Sequence, residues 1–104
     1  MIILSVLYPR TGESWFDYGY YLEKHVPLVQ SRLSPMGLER AEIMRGNSAL
    51  DGSSAGFELI GFLGFSSLEA MQNGLAAHGN EILADIPNFT NVQPLLQVNT
   101  QIVI

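Results

Sequence analysis

The sequence of 104 residues contains no cysteine, which excludes disulfide bonds, thiolate catalysis, zinc–cysteine sites and iron–sulfur clusters. Basic residues are also scarce: five Lys and Arg stand against ten Asp and Glu, for a formal net charge of -5. A basic patch that binds nucleic acid or an anionic membrane is therefore not expected. No apolar run approaches the roughly 18 residues of a transmembrane helix, and the amino terminus lacks a signal-peptide pattern. We therefore expect a cytoplasmic protein.

Charged residues make up only 14% of the chain, whereas hydrophobic residues make up 47%. This composition excludes a disordered chain, which needs low hydrophobicity and high charge. The length fits one domain, and we assign residues 1–104 to it.

Turn residues and hydrophobic patterns divide the chain into six elements in the order β-α-β-β-α-β. Ser14 and Asp17 resemble a capping box at the start of the first helix, and Ser66 and Glu69 form a second one. The second helix is expected to end at His78-Gly79, because glycine commonly follows a helix end. The expected elements are strands over residues 2–8, 38–46, 57–65 and 93–104, a helix over 15–33, a second helix over 66–79, a helical turn over 80–86, and a polar, mobile loop over 46–56.

This order is that of the ferredoxin-like fold, an α+β fold in which both helices cover one face of a four-stranded antiparallel sheet. The usual strand order is 4-1-3-2, so the first and third strands should be central. Both are apolar on their two faces, whereas residues 38–46 and 93–104 carry the polar side chains typical of edge strands. Because the helices can cover only one face, a second copy of the chain is the simplest cover for the other, and we expect a homodimer.

The first helix carries the strongest candidate for chemistry. On a helical projection, His25 lies in the middle of the inward apolar stripe. Asp17, Tyr21 and His25 follow one another at four-residue spacing, so their side chains stack along one flank of that stripe. An imidazole titrates near neutral pH and can transfer a proton, and a neighbouring phenol can bind a substrate oxygen.

Structural roles also account for each of these residues. An inward histidine can be a hydrogen-bonded core residue, Tyr18 and Tyr21 can be core aromatics, and Asp17 can serve only as a helix cap. Pro27 removes the hydrogen bond to the Glu23 carbonyl and should kink the helix just after His25, which can open space beside the imidazole.

The sequence holds no other strong chemical motif. The two histidines lack the spacing of helical metal ligands, and no glycine-rich nucleotide-binding fingerprint or serine nucleophile elbow is present. We therefore expect neither a metal site nor a cofactor. His78 lies near the expected end of the second helix, where a cation stabilises the helix dipole.

Residues 16–28 resemble the signature of the EthD family, which takes its name from ethyl tert-butyl ether degradation. The shared pattern is Phe-Asp, a Tyr pair and then His-x-Pro-Leu, and it places the family motif on Asp17, Tyr21, His25 and Pro27. Residues 85–91, followed by Gln93-Pro94 and a last strand, also resemble the family, so the likeness extends over essentially the whole chain.

The resemblance implies a dimeric α+β barrel, in which two ferredoxin-like protomers pack their sheets face to face. Wider relatives include cofactor-free monooxygenases, muconolactone isomerases and polyketide cyclases, which act on small oxygenated rings between helices and sheet. Many functions share this fold, so the oxidoreductase description usual for the family is an analogy.

Two classes of function follow as hypotheses. The first is a cofactor-independent oxidoreductase, or an isomerase or cyclase, in which His25 is the acid/base and Tyr21 and Asp17 assist. The second is a protein that binds a small molecule without turning it over. In either case we expect an apolar cavity between the first helix and the sheet, bordered by Trp15, Tyr18, Tyr21 and His25 and closed at one end by Phe89.

Overall fold

The computed structural model describes all residues from 1 to 104 and contains four strands and two long helical elements. The strands are β1 (Ile2–Pro9), β2 (Leu38–Arg45), β3 (Phe57–Phe65) and β4 (Leu95–Thr100). They form one antiparallel sheet with the order β2-β3-β1-β4. The predicted ferredoxin-like fold and strand order are both confirmed.

The first helical element, α1, is continuous but irregular. An α-helical turn, Tyr18–Tyr20, leads into a π-helical segment, Tyr21–His25, which is followed by the α-helix Val26–Leu33. A short 3₁₀ turn, Ser34–Met36, then precedes β2. The π-helical segment thus ends at His25, directly before the α-helix that contains Pro27, and the kink expected just after His25 stays a prediction.

The predicted start of α1 was wrong. Asp17 is the N-cap, and its carboxylate accepts a hydrogen bond of 3.0 Å from the Tyr20 backbone N–H. Ser14 instead closes a local turn with Thr11. Asp17 and Ser14 both suit an N-cap. The backbone N–H of Asp17 donates to the Phe89 carbonyl, which holds Asp17 in an extended conformation, so the helix begins after it.

The second helix, α2, spans Leu68–Asp85 without interruption, and a 3₁₀ turn, Ile86–Asn88, follows it. Its N-cap is Ser67 rather than Ser66, and the predicted end at His78-Gly79 was wrong. Gly79 does not adopt the left-handed conformation of a helix end. It is buried within the helix, so residues 80–85 of the predicted separate turn belong to α2, and Ile86 begins the 3₁₀ turn.

The fourth strand is also shorter than predicted, since Gln101 and the three residues after it lie outside the sheet ladder. Neither helical element combines the length and hydropathy that a membrane span requires.

Both helical elements pack on one face of the sheet and enclose two groups of buried side chains. One group joins the middle of the sheet to the carboxyl-terminal half of α1 and comprises Leu4, Val29, Leu33, Leu38, Phe65 and Met71. The other is aromatic and lies near the start of α1, comprising Tyr8, Tyr21, Leu59, Ile86 and Phe89. The site described below lies beside these two groups.

The opposite face of the sheet carries no helix. One row of side chains crosses all four strands on this face, since Met44 is opposite Ile60, Ile60 opposite Leu7, and Leu7 opposite Leu95. All four side chains are apolar, as predicted for the central strands. Ile60 and Leu7 are half-buried, whereas Met44 and Leu95 are exposed.

Candidate functional site

An apolar cavity of about 240 Å³ lies between the helices and the sheet. Its floor comes from the helix-facing side chains of β1 to β4, and its walls come from α1, α2 and the segments that follow α2. The polar side chains in its lining are Tyr8, Tyr21, His25, Gln30 and Asn80. Gln30 and Asn80 are exposed, so only the two tyrosines and the histidine are polar groups of the buried interior.

The π-helical segment of α1 supplies two of these groups. Its first residue is Tyr21 and its last is His25, and the Tyr21 carbonyl accepts from the Val26 N–H five residues later. Pro27 has no N–H to donate, so it disturbs the regular α-helical ladder at this point. The rings of Tyr21 and His25 stack with centroids 5.5 Å apart. A π-helical turn of this kind often marks a functional site.

His25 is held by a carboxylate from the other helix. Its Nδ1 lies 2.9 Å from the Oδ2 of Asp85, the last residue of α2. Only 5% of His25 is exposed, and the Phe89 ring also packs against the imidazole, with centroids 4.5 Å apart. Two aromatic rings and one carboxylate therefore fix the orientation of the imidazole.

Asp85 accepts hydrogen bonds from three side chains. Besides His25, the Tyr20 hydroxyl donates to its Oδ1 over 2.5 Å and the Asn88 side-chain amide donates over 3.0 Å. Burial alone would raise the pKa of Asp85, but these hydrogen bonds outweigh burial and lower it. Asp85 is therefore a carboxylate at neutral pH and accepts the proton of His25 Nδ1.

The pKa of His25 is lowered from its usual value, because burial disfavours the imidazolium more than the hydrogen bond and negative charge of Asp85 favour it. The imidazole is therefore neutral at physiological pH, with its proton on Nδ1. Nε2 then carries the free lone pair. The only hydrogen bond of the imidazole uses Nδ1, and Nε2 is open to the cavity, because every enclosed polar side-chain atom has a partner. This is the arrangement of a general base whose tautomer is fixed by a second residue.

Tyr21 contributes a hydroxyl to the same cavity. No protein group pairs with this hydroxyl, and it is open to the cavity, because every enclosed polar side-chain atom has a partner. A Cβ placed on Gly61 would lie 3.9 Å from it. Burial, reinforced by nearby Tyr18, raises the pKa of Tyr21 to about 12. The group is thus a neutral hydrogen-bond donor at physiological pH.

The prediction that Trp15, Tyr18 and Phe89 border the cavity was wrong. The Trp15 side chain is 49% exposed on the surface. Phe89 is fully buried but does not line the cavity, and its ring packs against the rings of Tyr21 and His25. Its position follows from a hydrogen bond of 2.7 Å from the Asp17 N–H to its carbonyl, a contact that sequence spacing does not reveal.

Tyr18 belongs to a separate polar cluster. Its hydroxyl donates to the carboxylate of Glu58 on β3, which also pairs with Arg10 at 3.0 Å. The guanidinium of Arg45 lies over the Tyr18 ring, 4.5 Å from its centroid. These contacts attach the start of α1 to β3 and to the end of β2.

Asp17 does not join the predicted row with Tyr21 and His25. It is exposed, and its side chain caps α1, so the structure places it in the alternative, structural role. The carboxylate that contacts His25 is Asp85. No role was predicted for Asp85, which was named only within residues 85–91 that resemble the EthD family. A signal was available there, because an acidic residue stands directly before Ile86-Pro87 at the end of an amphipathic helix.

No group of three or more His, Asp or Glu side chains is arranged to hold a metal ion. The residues that converge on the cavity are thus one histidine and two tyrosines, supported by one aspartate.

Comparison with solved structures first defines the class of protein. An EthD family protein from Bacillus halodurans C-125 matches with a TM-score of 0.71 at 19% identity, covering 98% of this chain and 99% of its own. HapK from Hahella chejuensis matches with a TM-score of 0.58 at 11% identity, covering 98% and 93%. A dimeric ferredoxin-like protein from an uncultured marine organism matches with a TM-score of 0.51 at 17% identity, covering 100% and 99%. These likenesses establish the ferredoxin-like class.

A further match is specific enough to identify the family. An EthD-like protein from Ralstonia eutropha JMP134 superimposes with a TM-score of 0.89 and is 31% identical, with 98% of this chain and 92% of that chain covered. This chain belongs to the EthD-like family. A scan of protein-family models and a search of curated proteins gave no match.

Proposed function

We propose that this chain is an enzyme that transfers a proton to or from a small, predominantly apolar molecule carrying an oxygen group, with His25 as the general base. One observation carries the proposal: Nε2 of a neutral imidazole, oriented by Asp85, is unpaired in the lining of an apolar cavity. In a histidine with a purely structural role, both ring nitrogens would be hydrogen-bonded within the protein, or the ring would be packed without a cavity beside it.

The proposal includes the cofactor-independent oxidoreductase that the family resemblance implies. Removal of a proton from a dihydroxyarene gives an electron-rich anion that O₂ can oxidise directly, with O₂ as the electron acceptor. In an isomerisation the same base removes a proton and returns it to another atom, and no oxidant is needed. Both reactions begin with the step for which His25 is placed.

The test is a turnover screen in two arms. One arm follows O₂ uptake with dihydroxyarenes, and the other follows exchange of the acidic C–H protons of 2-tetralone in D₂O by proton NMR. A positioned base contributes about 10²–10⁴-fold in rate, so His25→Ala should lose at least about 10²-fold in the active arm. Added imidazole should restore part of this loss, because it can occupy the space that the truncated side chain leaves.

The outcomes separate the candidate functions. Activity confined to the first arm identifies the oxidoreductase, and activity confined to the second identifies the isomerase class. If His25→Ala keeps full turnover, the proposal fails. Binding of ligands without turnover in either arm identifies the alternative, a small-molecule binding protein.

We propose further that two copies of this chain pack their sheets against each other. The support is the apolar row of Met44, Ile60, Leu7 and Leu95 on the face without helices, together with the dimeric ferredoxin-like relative. A twofold arrangement buries the same patch twice, and a specific interface buries about 1,600 Å² over both partners.

Two exposed leucines give a matched test of this arrangement. Leu95 is 56% exposed on the open face, and Leu22 is 51% exposed on α1. Leu95→Glu should shift the protein to a monomer in analytical ultracentrifugation at micromolar concentration, whereas Leu22→Glu should leave a dimer. A wild-type monomer at that concentration contradicts the proposal.

A further inference from the structure

Tyr8 is a cavity residue to which neither the sequence pattern nor the proposed proton transfer gives a role. It lies near the end of β1, opposite Leu59 of β3, and its side chain faces the helices. Only 2% of the residue is exposed, and its ring packs edge-on against Tyr21, with centroids 6.3 Å apart. No protein group pairs with its hydroxyl, and since every enclosed polar side-chain atom has a partner, this hydroxyl is open to the cavity.

The four tyrosines divide into two pairs. The hydroxyls of Tyr18 and Tyr20 each donate to a carboxylate, those of Glu58 and Asp85 respectively. Tyr8 and Tyr21 are more deeply buried than these two, yet their hydroxyls are unpaired. These two hydroxyls are open to the cavity, because every enclosed polar side-chain atom of the protein has a hydrogen-bond partner. The apolar cavity lining offers them no partner of its own, so only a molecule inside the cavity can pair with them. The two unpaired hydroxyls belong to the two tyrosines that line the cavity, which indicates that their partner is a ligand.

Both groups are suited to donate a hydrogen bond. Burial and the neighbouring Tyr21 raise the pKa of Tyr8, and the pKa of Tyr21 is also raised. Both therefore keep their protons at neutral pH. A cavity lined by two neutral phenol donors is complementary to an oxygen with two lone pairs, such as a carbonyl oxygen.

The lining also restricts the charge of the ligand. None of its 21 residues is Lys, Arg, Asp or Glu. A carboxylate or phosphate that entered would lose its hydration and find no cation, which is strongly unfavourable. The lining is instead suited to an uncharged molecule with an apolar body.

We propose that the hydroxyls of Tyr8 and Tyr21 together bind the oxygen of an uncharged, predominantly apolar ketone or of its enol. This inference rests on the proposed function and names its substrate class. His25 Nε2 takes a proton from the carbon beside the carbonyl, and the C–H electron pair forms the C=C bond. The carbonyl π electrons then move to the oxygen, where two phenol donors stabilise the negative charge. Where the ketone is β,γ-unsaturated, return of the proton to the far carbon of the resulting dienolate moves the C=C bond into conjugation and completes an isomerisation without any co-reactant.

Binding of three naphthalene probes tests this inference without requiring turnover. The probes are 2-naphthol, a neutral analogue of an enol; naphthalene, which lacks the oxygen; and 2-naphthoate, which carries a charge. Their dissociation constants are measured at pH 7 by fluorescence titration for the wild type, Tyr8→Phe, Tyr21→Phe and Tyr18→Phe. The last variant removes a hydroxyl that lies outside the cavity, and thermal unfolding confirms that each variant is folded.

The expected result is selective. Loss of one neutral hydrogen bond corresponds to about a three- to tenfold change, so Tyr8→Phe and Tyr21→Phe should each weaken 2-naphthol binding by that factor and leave naphthalene binding unchanged. Tyr18→Phe should alter neither. The wild type should bind 2-naphthoate at least about tenfold more weakly than 2-naphthol.

Three results overturn the inference: unchanged 2-naphthol affinity in Tyr8→Phe, equal affinity of the wild type for 2-naphthoate and 2-naphthol, or no binding of 2-naphthol by the wild type. Failure of the proposed function is a separate result, because it is read from the rate of His25→Ala with 2-tetralone or a dihydroxyarene. Failure of the tyrosine pair and failure of the general base are therefore distinguished by different measurements.

Discussion

Nδ1 of His25 and the carboxylate of Asp85 lie 2.9 Å apart, although 60 residues separate them in the chain. The contact joins the π-helical turn of α1 to the last residue of α2. It fixes the proton on Nδ1 and leaves Nε2 as the basic atom. The orientation of the base thus depends on how the two helices pack, and not on α1 alone.

The first prediction concerns this contact. Asp85→Asn removes the negative charge and offers an amide that can present its N–H₂ to Nδ1, which favours the other tautomer. Nε2 would then be protonated and unable to act as a base, so turnover should fall by at least about 10²-fold. Steady-state kinetics on the substrate found in the two-arm screen measure the change.

Asp17→Asn is the matched control for Asp85→Asn, because it makes the same replacement at an exposed carboxylate, the N-cap of α1, that does not contact His25. Asparagine caps a helix about as well as aspartate, so both turnover and thermal stability should be retained. A large loss of turnover in Asp17→Asn would show that Asp17 has the catalytic role suggested by its four-residue spacing from Tyr21. Full activity in Asp85→Asn would contradict the positioning role of Asp85.

The second prediction concerns pH. Because burial lowers the pKa of His25, the base stays unprotonated below the usual histidine value of 6.5. The midpoint at which kcat/KM decreases in acid should therefore lie below pH 6.5. His25→Ala should lose this pH dependence in whatever activity it retains. An acid limb centred above pH 6.5 would contradict the lowered pKa.

The lowered pKa of His25 also makes the free energy of unfolding depend on pH. Between the lowered native pKa and 6.5, the unfolded chain binds more protons than the native protein, so stability rises with pH through this window. The contribution of His25 is fully present above pH 6.5 and is lost as the pH falls towards its native pKa. Urea unfolding at several pH values should show this dependence in the wild type and a smaller one in His25→Ala.

The third prediction contrasts two tyrosines by their effect on stability. Tyr8→Phe removes a hydroxyl that is open to the cavity and has no protein partner, so the melting temperature should stay the same or rise. Tyr20→Phe removes the hydroxyl that donates to Asp85, so the melting temperature should fall. Differential scanning calorimetry of both variants makes the comparison, and a marked loss of stability in Tyr8→Phe would show that its hydroxyl is bonded in the folded protein.

Local sequence patterns were sufficient for the fold. The strand order follows from the two-sided apolar pattern of residues 2–8 and 57–65, because only central strands of a sheet need it. His25 and Tyr21 could also be placed towards the cavity, since their position on α1 depends mainly on helical periodicity.

Contacts between distant segments could not be derived in the same way. Asp85 was missed because Gly79 resembled a helix end, and a helix that ended there would have left Asp85 in a separate turn. The wrong positions of Trp15 and Phe89 have a similar cause, because the hydrogen bond from Asp17 to the Phe89 carbonyl depends on the tertiary arrangement. Tyr8 received no role from the sequence, because its hydroxyl becomes informative only when its place in the cavity and its lack of a protein partner are known.

The fourth prediction concerns Gly61, a buried glycine in the middle of the central strand β3. Its backbone does not adopt a positive φ, so its conformation does not require glycine. A Cβ at this position would make only ordinary contacts, at 3.8 Å to Val6 and 3.9 Å to both Ile43 and the Tyr21 hydroxyl. Glycine weakens a strand interior and often marks a site where a ligand approaches the backbone closely.

Gly61→Ala should therefore separate stability from binding. The melting temperature should stay the same or rise, because alanine loses less conformational freedom on folding than glycine does. The affinity for 2-naphthol should fall, because the added methyl group occupies the part of the cavity beside the Tyr21 hydroxyl. Gly12→Ala, on an open surface where a Cβ meets nothing within 4 Å, is the control and should leave the affinity unchanged. Wild-type affinity in a folded Gly61→Ala protein would show that the ligand does not lie over β3.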